Sequence, residues 1–96
     1  MINQQNGFRF SVNPEASASI HDDGVVILHL GSGQLYTSNE TGASIWRWVE
    51  QQLSLESIAE QISTKYQIAP ATSYDHVFHF LAELERYALV QREVVA

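Results

Sequence analysis

Leu35-Tyr36-Thr37-Ser38-Asn39-Glu40-Thr41-Gly42-Ala43-Ser44-Ile45-Trp46 is the stretch in which the hydrophobic repeat of this chain changes. Up to Thr37 the residues alternate as in a strand. Beyond it Ile45, Trp46, Val49 and Leu53 recur at the spacing of one helix face. Ser38 or Asn39 can cap that helix, and Glu40 in its first turn suits the positive end of the helix dipole. Strands therefore precede this junction and helices follow it.

Working back from the junction, Gln34 to Thr37 reads as a short third strand, reached through the turn Gly31-Ser32-Gly33. Before it lies the β-branched run Val25 to Leu30, and before that Ser17 to His21, with Asp22-Asp23-Gly24 as the turn of a hairpin. Residues 1–15 form a weakly held arm in which Phe8, Phe10 and Val12 alternate, enough for one edge strand. Working forward, Ser54 caps a second helix whose buried stripe is Leu55, Ile58, Ala59, Ile62 and Tyr66. Ile68-Ala69-Pro70 breaks it. Thr72 with Asp75 resembles a capping box that starts a third helix, whose core stripe is Val77, Phe80, Leu81, Leu84 and Ala88. Leu89 and Val90 then pass into a short polar tail. The expected class is α+β, a winged helix-turn-helix-like domain over residues 16–92, with a three-stranded antiparallel sheet followed by three helices.

Ninety-six residues hold one domain, since chains rarely divide into two cores below roughly 150 residues. Hydrophobic residues make up 45% and charged residues 17%, which excludes both a membrane-spanning and a disordered class. A domain this small buries only about 60 to 65% of its chain surface, so few apolar residues are left over for a deep pocket. Eleven acids against five bases give a net charge of −6, and Arg9, Arg47, Lys65, Arg86 and Arg92 stand singly. Nucleic acid needs clustered cations to release counterions from phosphates, so no nucleic-acid partner is expected. The absence of cysteine removes disulfides, thiolate nucleophiles and Cys-type zinc sites. Met1 to Phe10 is polar, without the roughly 7 to 15-residue apolar core of a secretory signal, so the expected location is the cytoplasm, with no membrane partner.

Few residues carry chemistry of their own. His76 and His79, three apart with Asp75 and Glu83 nearby, could present two imidazoles and a carboxylate on one helix surface, but zinc needs further rigid ligands and solvated helix polarity explains them better. Ser and Thr stand in turns and caps, and neither a phosphate loop nor a nucleophile elbow is present. No catalytic residue, metal or cofactor is expected. Trp46 and Trp48 lie about 200° apart around a helix axis, so one belongs to the core and the other is free for a partner or lies over the hairpin.

The run Tyr36 to Trp46 resembles the strand-to-helix signature of the PqqD family, in which a short strand meets Asn-Glu-Thr, a small residue pair and Ile-Trp. Leu55, Ile58 and Ala59 are similar to its second helix, Tyr66-Gln67-Ile68-Ala69-Pro70 to its turn, and Phe80-Leu81-Ala82-Glu83-Leu84 to its closing Phe-Leu-x-x-Leu segment. The resemblance covers about Ile20 to Val90; Arg9 to Pro14 is only faintly similar. One departure stands out: the family commonly has Leu before the Asn, where this chain has Ser38.

The resemblance implies peptide recognition without catalysis. PqqD-like proteins, such as those of coenzyme PQQ biosynthesis, are recognition elements for ribosomally made peptides. They hold the leader of a precursor peptide beside the third strand and third helix and present it to a modifying enzyme, of the radical SAM or another peptide-modifying kind. Carried onto this chain, the peptide-binding set is Leu35, Tyr36, Thr37 and Ser38 on the strand with Tyr74, Phe78, Leu81 and Glu85 on the helix. An edge strand has free N–H and C=O groups with which an extended peptide can pair. Of Leu35 and Tyr36, on opposite faces, Leu35 is assigned to the core. Tyr74 and Phe78 otherwise pack under the arm, with His76 and Tyr87 as the wall on the opposite flank. A winged-helix DNA binder shares the fold, but its recognition helix here would carry Asp75, Glu83 and Glu85 against Arg86 alone, which suits a phosphate-lined groove poorly. A protein-only adaptor is a further alternative. An exposed strand edge and a loose arm both offer strand exchange between copies, leaving a homodimer open.

Overall fold

Residues 8–94, described by a computed structural model, run in the order β1 (Phe8–Val12), β2 (Ala16–His21), β3 (Gly24–His29), β4 (Leu35–Asn39), α1 (Glu40–Glu50), α2 (Leu55–Tyr66), α3 (Pro70–Arg86) and β5 (Val90–Val94). β2, β3 and β4 form the expected antiparallel sheet in that order. Its first turn is Asp22-Asp23, and Gly24 then begins β3 because its backbone lies against the Ser38 carbonyl, where a Cβ has no room. The second turn closes through the Gly33 N–H on the His29 carbonyl (2.8 Å) and the Ser32 N–H on His29 Nδ1 (3.1 Å), with Gly33 at φ +75°. Val25 and Ile27 reach the core from β3, and Ala16, Ala18 and Ile20 line the same side of β2.

Asn39 caps α1, its side-chain oxygen accepting from the Gly42 N–H at 3.0 Å, and Ser54 caps α2 by accepting from the Ser57 N–H at 3.1 Å. The capping box at Thr72 and Asp75 does not form. α3 begins at Pro70, whose fixed φ and missing N–H suit the first helical turn, and no side chain caps it. Ser73 is buried instead, donating to the Ala59 carbonyl at 2.5 Å and tying α3 to α2. Trp46 is the largest fully buried side chain, with its indole N–H on Glu50 at 3.0 Å; Trp48 is half-buried against the core and is not a free surface aromatic.

All three helices end alike. Leu53, Ile68 and Leu89 donate their N–H groups back to the Trp48, Ser63 and Leu84 carbonyls, and each of these three side chains packs on or in the core. The residue before each is left-handed: Gln52 at φ 65°, Gln67 at φ 55° and Ala88 at φ 61°. Ala88 is thus exposed and is not part of the core stripe assigned to it. Phe80, from the same stripe, is only partly buried.

The two ends of the described chain depart most from expectation. The anticipated polar tail is strand β5, paired antiparallel with β1 in the register Phe8↔Val94 to Val12↔Val90. The strand expected in the arm is present, but it is anchored: Phe10 is 2% exposed in the core, joined there by Leu89 and Val90. Arg92 lies over the Phe8, Phe10 and Phe78 rings at 4.9, 5.2 and 5.4 Å and bonds Glu85 through Nε at 2.9 Å. This second sheet fixes which side of α3 is left open.

Candidate binding groove

The parity of β4 follows from its first ladder bond. The His29 N–H donates to the Gln34 carbonyl at 2.9 Å. Hydrogen-bonded pairs alternate along an antiparallel ladder, so Gln34, Tyr36 and Ser38 turn their backbone groups to β3, while Leu35 and Thr37 turn theirs outward. Among the described residues no strand pairs with that outer edge. Side chains alternate on the other axis: Tyr36 and Ser38 lean toward the helices, and Leu35 and Thr37 point to solvent. Leu35 is 63% exposed, which corrects its assignment to the core; Tyr36 takes the inner position.

Tyr36 meets α3. Its ring lies 6.4 Å from Phe80, edge-on, and 5.6 Å from Tyr87, just past the helix end. Phe80, Glu83 and Tyr87 recur at the 3 and 4 spacing of one helix face. The pKa of the Tyr36 hydroxyl is pushed up from 10.0 to about 12, by burial first and then by the charge of the Glu83 carboxylate. None of the ion pairs among the described residues involves Glu83. At the head of β4 a narrow cleft between His29, Gln34, Leu35, Tyr36, Tyr87 and Leu89 continues this surface. At its foot the small Ser38 side chain packs on Gly42, where an added Cβ would strike Ser38 and lie 3.0 Å from the Phe80 ring.

The four strand residues singled out from the sequence, Leu35, Tyr36, Thr37 and Ser38, stand together along this edge. The four helix residues do not join them. Leu81 is 0% exposed and belongs to the core. Phe78 packs on Phe10 at 6.4 Å, and Glu85 holds Arg92, so both serve the β1–β5 side. Tyr74 lines a separate hollow of about 390 Å³ between α2 and α3, with Glu56, Glu60 and Pro70. The reason is rotational: two residues along a helix turn it by about 200°, which places Phe78 and Phe80 on opposite flanks. Of the alternative wall, Tyr87 lies at the groove and His76, four residues before Phe80, is exposed. Phe80 and Glu83 were missed as groove residues. Their spacing to Tyr87 was the available signal.

His79 turns Nδ1 to the Asp75 carbonyl at 2.7 Å, and among the described residues no group of three or more His, Cys, Asp or Glu is placed to hold a metal ion. No described helix is long and apolar enough to cross a membrane.

Comparison with known proteins yields a family match and two structural ones. The family Coenzyme PQQ synthesis protein D (PqqD) matches residues 24–90, from the start of β3 to the start of β5. No curated protein sequence matches. Among solved structures, the chain is similar to TbiB1 in complex with the TbiA(beta) leader peptide, at 26% identity and a TM-score of 0.80, over 84% of this chain and 94% of that one. It is also similar in fold to lasso peptide synthetase B1 complexed with the leader peptide, at 22% identity and a TM-score of 0.79, over 86% of this chain and 98% of that one.

Proposed function

Because this chain belongs to the PqqD family, we propose that it binds the leader of a ribosomally made precursor peptide by strand addition along the outer edge of β4. It then presents the rest of the precursor to a modifying enzyme, a radical SAM or other peptide-modifying enzyme, and supplies no chemistry itself. The observation that carries this reading is the open edge: Leu35 and Thr37 direct main-chain donors and acceptors outward, beside the aromatic face of Tyr36, Phe80 and Tyr87. Two of the similar structures are complexes with leader peptides, which supports the same class of ligand. The guest strand's main chain pairs with β4, and every second side chain faces α3, so affinity comes from the backbone and selectivity from the helix.

The opposite side of α3 is committed to holding β1 and β5, which leaves the Phe80, Glu83 and Tyr87 flank for the guest. A DNA-binding reading gains nothing from the geometry, because the flank that faces outward carries Glu83 and two aromatic rings in place of cations.

The test is a titration of the labelled protein with the leader of its precursor peptide, to be sought among short reading frames beside its own gene. Amide signals of Leu35 to Asn39 and of Phe80 to Tyr87 are expected to shift together. Shifts confined to α2 and the Tyr74 hollow would contradict the proposal.

A further inference from the structure

Glu83 is a charged group beside the rings of Tyr36, Phe80 and Tyr87. It is exposed, takes part in none of the ion pairs among the described residues, and stands on α3 three residues after Phe80 and four before Tyr87, the two rings that Tyr36 touches. A carboxylate has about four acceptor sites, and no ion pair among the described residues occupies those of Glu83. A guest strand paired to β4 sets one inward side chain directly beside Tyr36, with Cβ atoms roughly 5 Å apart, above the Phe80, Glu83 and Tyr87 row.

Resting on the strand-addition reading, we propose that this position is a subsite for one lysine or arginine of the leader, whose stem lies on the Tyr36, Phe80 and Tyr87 rings and whose cation pairs with Glu83. Two independent features select that chemistry. Ring faces attract a cation, and the carboxylate lacks a fixed positive partner. An apolar guest residue would cover Glu83 and remove water from a charge that nothing then neutralises. A guest acid would meet Glu83 as a like charge in a chain that already carries −6. The leader is therefore expected to place a basic residue at one fixed position, with apolar residues two positions away toward the Leu89 cleft.

The experiment pans a displayed library of random fifteen-residue peptides against the immobilised full chain and, in parallel, against Glu83→Gln. Peptides enriched on the wild type are expected to carry Lys or Arg at one aligned position and to bind Glu83→Gln on the order of tenfold more weakly. Glu83→Asp is expected to recover part of that loss, and an unchanged melting temperature checks that each variant is folded. Enriched peptides that shift the β4 amides yet lack the basic residue, or ignore Glu83→Gln, would overturn the subsite and leave strand addition standing. Enriched peptides that leave the β4 amides unmoved, or no enrichment at all, would overturn both.

Discussion

The Phe78 ring lies 6.4 Å from the Phe10 ring, and this contact closes one flank of α3. Arg92 covers both rings and is held by Glu85, so a single patch ties the helix to β1 and β5. The opposite flank, two residues further along the helix, remains beside Tyr36 and the free edge of β4.

Phe78 is therefore expected to act on stability. Phe78→Ala should cost about 2 kcal/mol, less than the roughly 3 to 5 kcal/mol of a fully buried ring because Phe78 is only partly covered. Urea denaturation measures the loss, and the folded fraction should bind peptide with unchanged affinity. A variant of full stability and lost binding would place the guest on the wrong flank.

Ala88 gives a prediction of opposite sign. An L-residue in the left-handed region costs about 1 to 2 kcal/mol, and glycine returns part of this through its freer unfolded chain, about 0.4 to 1 kcal/mol. Ala88→Gly should thus stabilise the protein by about 0.5 to 1 kcal/mol, seen as a higher urea midpoint with an unchanged slope.

Tyr36 sets the response to alkali. Its pKa rises from 10.0 unfolded to about 12 folded, so the folded state favours the protonated hydroxyl. The associated stability is complete below pH 10 and is lost as pH rises through about 12. Ultraviolet titration of tyrosinate should show a transition near pH 12 that Tyr36→Phe removes, and thermal melts between these limits should fall less steeply in that variant.

Much of this architecture is legible in the sequence because it is local. Asp22-Asp23-Gly24, the switch of period after Thr37 and the Ser54 cap each act within a few residues: the Ser54 cap stands where its pattern predicts, while Gly24 already belongs to β3 and β4 runs two residues past Thr37. The choice of flank is not local. It depends on Phe8 pairing with Val94 across almost the whole chain, and Gln91, Arg92 and Glu93 carry no alternation that marks a strand, since β5 is exposed beyond Val90. The facing of Leu35 and Tyr36 was hidden for a related reason. Both are apolar-bodied residues, and only the register, which sets Tyr36 opposite the buried Ile27, decides which of them turns inward.

Proline separates the edge from the ladder. At Thr37 it removes a donor that points away from β3, so Thr37→Pro should weaken peptide binding at least tenfold, about 1.4 kcal/mol, while the sheet persists in circular dichroism. At Tyr36 the same change removes a donor to β3 and an inner side chain, and the domain should lose several kcal/mol of stability.

Amide hydrogen exchange along β4 reads the open edge residue by residue. In the free protein the Tyr36 and Ser38 amides should be protected and those of Leu35 and Thr37 should exchange freely; with leader peptide bound, Leu35 and Thr37 should become protected as well. Protection of all four before any peptide is added, or no change at Leu35 and Thr37 when it binds, would contradict the account.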